Sequence, residues 1–242
     1  MGKNLIQQRR GKGSFAFKAP SHRYRGKAKH VKMRSDIGVV NGTVKDILHC
    51  PGHSSPVVEV FFEDNKDKVL MIAPEGIKVG DRISAGEEAK LSVGNILPLK
   101  SIPMGTAVYN IESQPGDGGK FVRSSGTSAR VISKMKGKIF VELPSKKQKD
   151  FDPDCRACIG VVAGSGRKEK PFYKAGKKHH AMKARNKFYP KVTAQSMNAV
   201  DHPFGGSRSS RKGRPTIAPR FAPPGRKVGM LSPRRTGRKK RS

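Results

Sequence analysis

VVEVFFEDNKDKVLMIA, residues 57–73, has the pattern of a β-hairpin. Two runs rich in β-branched, aliphatic and aromatic side chains, 57–62 and 69–73, flank the polar tract Glu63, Asp64, Asn65, Lys66 and Asp67, which suits the loop of a hairpin. A regular pleat sets Val57, Glu59 and Phe61 on one face and Val58, Val60 and Phe62 on the other. The same pattern extends outward. Upstream, Val39 and Val40 and then residues 44–48 are apolar runs broken by Asn41 and Gly42; downstream, Ile77, Val79, Ile83 and Leu91 recur among Gly76, Gly80 and Gly86. Five short strands in about 65 residues predict a small barrel such as an OB-fold.

Pro98 and Pro103 bracket a stiff connector, and a second β-rich segment starts near Thr106. Residues 107–111, 121–123, 129–135, 138–143 and 158–163 are its strand candidates, with Gly137 turning the third into the fourth. Their number and spacing predict another compact barrel, of SH3-like size. The fold class is therefore mainly β: an OB-fold barrel followed by an SH3-like barrel, with long basic irregular extensions at both ends. The divisions are 1–34 for the N-terminal extension, 35–102 and 103–175 for the barrels, and 176–242 for the Gly/Pro-rich C-terminal extension.

Charge separates the same regions. Residues 1–34 hold 11 Lys and Arg and no carboxylate, and residues 166–242 hold 23 against Glu169 and Asp201. The 131 residues between them hold 17 basic and 16 acidic side chains, so nearly all of the net charge of +33 lies in the ends. Chains of such composition bury too little apolar surface to offset their entropy and repel themselves without counter-charge. A polyanion is the expected partner, with the extensions unfolded until they meet it. On that division, removal of residues 1–34 leaves both barrels folded. No apolar run approaches the roughly 18 residues of a membrane span, and no apolar stretch of a secretory signal opens the sequence. Three cysteines do not make a disulfide framework, so an intracellular protein is expected.

The N-terminal extension interleaves cations with planar groups: Arg9, Arg10, Lys12, Phe15, Phe17, Lys18, His22, Arg23, Tyr24 and Arg25. Cations meet phosphates, while rings and the Arg plane stack on unpaired bases. A second basic block carries Lys177, Lys178, His179, His180, Lys183, Arg185 and Lys187 in a segment that reads as a short helix without a broad apolar face. Residues 208–242 add 13 Lys and Arg among five prolines, an extended tract.

Several long motifs, in one order, resemble a known family. They are QQRRGKGSFAFKAPSHRYRG (7–26), APEG (73–76), GNILPL (94–99), PGDGGK (115–120), IGVVAGSGR (159–167), KARNKFYP (183–190), MNAVDHPFGG (197–206), APPGRKVG (222–229) and RRTGR (234–238). The chain is similar to the family of the universal large-subunit ribosomal protein two, in its archaeal and eukaryotic form. That resemblance implies an OB-fold and an SH3-like barrel with both extensions buried in large-subunit rRNA. It also implies a cytoplasmic ribosomal location near the peptidyl transferase centre and subunit interface, with neighbouring ribosomal proteins and the small subunit as partners, and roles in subunit association and tRNA placement. It adds Asn198, His202, Phe204, Gly205, Gly206, Arg208, Arg226, Lys227, Arg234, Arg235 and Arg238 to the RNA-binding set. The chain departs from the family at residues 193–196, TAQS, where Arg-Gly usually precedes Met-Asn.

His202 matches the histidine that this family has been linked to in peptide-bond formation. A lone histidine without a base, an orienting group or a substrate cleft meets few criteria for an active site, so positioning of RNA by a Gly-Gly turn is the stronger reading and no enzyme is expected. Gly116, Gly118 and Gly119 suggest a phosphate loop, but no Gly-Lys-Ser/Thr follows, which favours a tight turn. HCPGH, residues 49–53, is a second departure. It creates Cys50-x2-His53, and Cys155-x2-Cys158 lies roughly 100 residues on. Together these are donors for a tetrahedral structural zinc; the competing reading makes Cys155 and Cys158 small buried hydrophobes beside a strand and His53 an exposed loop residue. No other cofactor, no small-molecule substrate and no membrane is indicated. A protein that merely compacts nucleic acid needs only charge, and would not need two near-neutral barrels.

Overall fold

β1 (Val39–Leu48), β2 (Val57–Phe62) and β3 (Asp67–Ile72) form an antiparallel meander in which Val58 faces Met71 and Val60 faces Val69 across the hairpin. In this computed structural model, which describes residues 2–33, 38–64, 66–135, 137–206 and 217–231, β1 is continuous. Asn41 and Gly42 do not break it, contrary to the sequence reading. A Cβ at position 42 would lie 2.7 Å from the Phe62 ring and 2.8 Å from Val60, so glycine there makes room for the core side chains of β2. β4 (Arg82–Gly86) pairs antiparallel with β1, and β5 (Ile96–Pro98) joins β4 in parallel through Ala85 and Ile96. Ile77, Val79 and Leu91 lie outside strands, the last two exposed.

The second segment folds as β6 (Ala107–Tyr109), β7 (Ala129–Met135), β8 (Lys138–Glu142), β9 (Gln148–Phe151) and β10 (Arg156–Ile159). Gly137 turns β7 into β8 at φ +72°, as expected. Phe121 makes a single bridge to Ile111 where a strand was expected, and β10 begins two residues earlier than its apolar run. These are an OB-fold barrel followed by an SH3-like barrel, and the ten strands run as one sheet in the order β3-β2-β1-β4-β5-β10-β6-β7-β8-β9. The pleat explains how one sheet serves two cores. Ile96, Tyr109 and Cys158 pack into the first, and their neighbours Leu97, Val108, Ala157 and Ile159 into the second. The connector is thus the seam of the two barrels.

The chain divides into two units, Ser21–Tyr173 and Met1–Pro20 together with Lys174–Ser242. This division falls earlier than residue 34 for a physical reason. Ala28 and Val31 are buried in the first core, and His30 is buried beside them. Their backbone is gripped as well: Arg123 donates to the Ala28 carbonyl at 2.8 Å, Arg156 to the Val31 carbonyl at 2.7 Å, and Lys29 N–H to the Leu70 carbonyl at 2.8 Å. His30 Nε2–H donates to the Asn110 carbonyl at 2.7 Å, which leaves Nδ1 facing the Cys158 thiol at 3.7 Å. Burial first, and the Arg156 charge second, hold the imidazole neutral, with a pKa of about 4. Residues 27–33 therefore pack with the barrel unit, and removal of 1–34 would take Ala28 and Val31 out of the first core.

Glu112 anchors this arrangement. Fully buried, it accepts from Arg156 Nη2 at 2.8 Å, from the Arg156 backbone N–H at 2.9 Å and from the Gly118 N–H at 3.0 Å. Burial alone would raise its pKa, but the hydrogen bonds and charge of Arg156 outweigh that and lower it.

The other unit is built from α1 (Ile6–Gly11), a 3-10 turn at Phe15–Phe17, α2 (Ala175–Lys183) and a 3-10 turn at Ala194–Ser196. Its two chain ends are joined by Lys3 N–H to the Val200 carbonyl at 2.8 Å, by the Asn186 amide to the Lys18 carbonyl at 2.9 Å, and by the Lys3–Asp201 ion pair at 3.7 Å. Neither helix has a buried residue. Leu5 and Pro20 are the only buried residues of this unit among those described. No helix among the described residues is long and apolar enough to cross a membrane.

Candidate nucleic-acid interface

Sorting the cations by unit sharpens the charge pattern. The unit formed by residues 1–20 and 174–242 carries 25 Lys and Arg against one carboxylate, Asp201, while the barrel unit carries 26 against 17. In the first unit Asp201 pairs with Lys3 at 3.7 Å, and the sequence supplies no other acidic side chain for the remaining cations. The second supplies 17 carboxylates, which pair Lys100 with Glu87 and Asp154 at 3.0 and 3.3 Å, Lys138 with Asp150 at 2.7 Å and Arg156 with Glu112 at 2.8 Å.

Arg9, Arg10, Lys12 and Phe15 are exposed on and just after α1, with Phe15 82 % accessible. Lys183, Arg185 and Lys187 are exposed at and beyond the end of α2, and Asn198, Arg226 and Lys227 are exposed farther on. His22, Arg23, Tyr24 and Arg25, also exposed, belong to the barrel unit, where the Tyr24 ring covers Gly52. Arg208, Arg234, Arg235 and Arg238 lie outside the described residues.

The turn around His202 is closed on itself. His202 N–H donates to the Asn198 carbonyl and Gly206 N–H to the Met197 carbonyl, at 3.2 and 3.1 Å. Phe204 N–H donates to His202 Nδ1 at 3.0 Å, which puts the neutral ring's proton on Nε2, and burial lowers the imidazole pKa. A Cβ on Gly205 would collide with the Met197 and Asn198 carbonyl oxygens. Glycine at 205 thus has a reason inside the protein, nearer than an approach to RNA. His202 lines two shallow grooves of about 350 and 410 Å³ without a second titratable group bonded to its ring among the described contacts.

PGDGGK, residues 115–120, is a turn whose amides are already taken. Glu112 accepts from Gly116 and Gly118 N–H, and Asp117 accepts from Ser113, Gln114 and Gly119 N–H. Carboxylates fill the role that phosphate oxygens play in a phosphate-gripping loop, so the tight-turn reading stands.

The CxxH and CxxC pairs are not brought together. Cys50 and Cys158 are buried in the first core and Cys155 in the second. Burial pushes the Cys158 thiol up to about 12 and the Cys155 thiol to about 11. Among the described residues no three His, Cys, Asp or Glu side chains are grouped to hold a metal. His53 is half-buried rather than exposed, with Nδ1 lacking a hydrogen-bond partner.

Further aromatic residues, outside the set marked by the sequence, are exposed. Tyr173 is 86 % and Phe221 89 % accessible, and Phe172 and Phe188 are also exposed, each close in sequence to Lys or Arg. The strings KPFYK and KFYP carry that signal: a ring bounded by cations is poorly placed for a core and well placed for a nucleobase.

Comparison with known proteins agrees with this geometry. Residues 2–85 match the family model described as Ribosomal Proteins L2, RNA binding N-terminal domain, and residues 92–223 match Ribosomal Proteins L2, C-terminal domain. The large ribosomal subunit protein uL2 of Haloarcula marismortui is 52 % identical over 238 residues, covering 98 % of both chains. That of Haloquadratum walsbyi is 52 % identical over 238 residues, 98 % of this chain and 97 % of its own. That of Methanococcus maripaludis is 52 % identical over 242 residues, 99 % of this chain and 100 % of its own.

Proposed function

The chain belongs to the L2 family of ribosomal proteins, and on that premise we propose that it works as an architectural rRNA clamp whose cationic ends carry the binding. It is a structural constituent of the large subunit of the cytoplasmic ribosome and binds RNA. The barrels dock on folded rRNA by shape and 2′-hydroxyl contacts, while the unit of residues 1–20 and 174–242 enters crevices between RNA helices and neutralises phosphates that would otherwise repel. In this reading the clamp lies near the peptidyl transferase centre, supports subunit association and tRNA placement, and meets neighbouring ribosomal proteins and the small subunit there.

The observation that carries this reading is the unit with 25 cations, one carboxylate and two buried residues among those described. Apolar burial cannot stabilise it, and charge contacts with a polyanion can. A crosslink map in assembled large subunits tests it: Arg9, Arg10, Lys12, Lys183, Arg185, Lys187, Arg226 and Lys227 are expected to crosslink to rRNA. Crosslinks confined to the barrels would overturn it.

His202 acts in positioning and not in proton transfer, because its Nδ1 is engaged by the Phe204 N–H of its own turn. A His202→Gln chain assembled into subunits should retain the pH dependence of peptide-bond formation. Collapse of the chemical step alone, with assembly and tRNA binding normal, would contradict this.

A further inference from the structure

The cationic unit contains a groove of about 790 Å³ that joins Arg10, Arg185 and Lys187, cations already marked by the sequence, to the rings of Phe188 and Tyr189, which were not. Phe17, Phe188 and Tyr189 give it aromatic walls, with Phe188 exposed and the other two half-buried. Its cations are Lys178, Arg185, Lys187 and Lys191 from the C-terminal segment and Arg10 from α1, and no acidic residue lines it.

Local structure sets these groups in place. After α2 the chain turns back on itself: Lys187 N–H donates to the Met182 carbonyl at 2.9 Å, and Asn186 adopts the left-handed region at φ +48°. The Asn186 side-chain amide reaches the Lys18 carbonyl at 2.9 Å, which ties the turn to the segment that carries Phe17. Lys178 Nζ sits 5.5 Å from the centre of the Tyr189 ring.

A groove that held a phosphate alone would not need three rings, and one that held an apolar protein segment would not be rimmed by five cations without a carboxylate. We propose that this groove receives a single unpaired nucleotide of RNA, the base stacked among Phe17, Phe188 and Tyr189 and the flanking phosphates met by Arg185, Lys187 and Lys191. Stacking does not require a particular base, because every base has a π-face. The groove thus selects an extruded nucleotide in folded RNA over a continuous duplex, whose bases are stacked on each other and unavailable. This rests on the rRNA-binding reading above and adds to it what one part of the cationic unit recognises.

The test uses the full chain and two RNA hairpins of one length, one with a 2-aminopurine bulge and one fully paired. The bulged hairpin should bind more tightly, with its fluorescence quenched on binding. Phe188→Ala should bring its affinity down to that of the paired hairpin, a loss of roughly five- to a hundredfold. Phe188→Tyr should restore the preference, and Lys187→Gln should weaken both hairpins alike. Should Phe188→Ala lose the paired hairpin too, Phe17→Ala decides in the same assay. Equal affinity for the two hairpins, or quenching untouched by both alanine variants, overturns the nucleotide groove while rRNA binding stands. Failure of the unaltered chain to bind either hairpin overturns both readings.

Discussion

The two units carry almost the same number of cations, 26 and 25, and are held together by different physics. Residues 21–173 bury 32 of the 33 hydrophobic side chains buried among the described residues and offset 26 cations with 17 carboxylates. Residues 1–20 and 174–242 bury Leu5 and Pro20 and offset 25 cations with Asp201 alone. The difference teaches that basic content does not by itself mark an RNA ligand. Arg156 and Arg123 are cations of the barrel unit, and both spend hydrogen bonds on Glu112, Val31, Ala28 or Gly119 inside the protein. A cation free for phosphate is one for which the sequence supplies no acid.

The largest effect that would break this contrast is a pair of truncations. Removing residues 1–33 takes Ala28 and Val31 from the first core and deprives Arg123 of the Ala28 carbonyl and Arg156 of the Val31 carbonyl, a loss on the order of 5 kcal/mol. Cooperative thermal unfolding of the barrels should be lost or shifted far down. Removing residues 1–20 should leave the barrel transition in place. Equal behaviour of the two truncations would show that the division at residue 20 is wrong.

Glu112→Gln comes next. It leaves a largely buried guanidinium without its counter-charge and should cost about 3 to 5 kcal/mol by chemical denaturation; a loss below 1 kcal/mol would mean that the pair is not the anchor described.

A smaller, pH-confined effect belongs to His30. The folded chain keeps it neutral, with a pKa near 4, whereas the unfolded chain takes up a proton below about 6.5. Its contribution is therefore complete above pH 6.5 and is lost as the pH falls from 6.5 towards 4, because the unfolded state binds more protons in that window. Glu112, whose folded pKa is lowered, adds a loss in the same direction at lower pH, below its ordinary value of 4.5. His30→Gln should flatten stability between pH 6.5 and 4.5 relative to the unaltered chain; an identical slope in both would contradict the burial of a neutral imidazole. Smallest of all is Lys138→Met, which removes an exposed ion pair with Asp150 and should leave the unfolding midpoint unmoved.

Much of the fold was legible because the barrels follow period-two burial. β2 occupies the residues its alternation marked, β7 does likewise, and Gly137 turns where it was expected to. The failures have physical causes. β9 reads QKDF, with three polar residues of four, and is held by pairing with β8 rather than by its own hydrophobicity. β5 ends in Pro98, which reads as a connector, yet lies between β4 and β10 as the seam of two cores. Gly42 looked like a break because its neighbours across the sheet, Phe62 and Val60, are distant in sequence. The basic tract of the site was legible from charge alone. Its internal geometry was not: the sequence sets Lys18 and Asn186 168 positions apart, and only the fold brings them to one hydrogen bond. Likewise, Ala28, His30 and Val31 sit among lysines, and nothing local marks them as core.

In the clamp proposed above, unpaired charge, and not cation number, binds the RNA. Filter binding of large-subunit rRNA over a range of salt, by the full chain and by residues 21–173, tests it most directly. Each phosphate neutralised adds roughly −0.7 to −0.9 to the logarithmic slope. If cations of the cationic unit do the work, removing it should flatten the slope by more than about half although half of the Lys and Arg remain. A slope and affinity retained by residues 21–173 would contradict the claim.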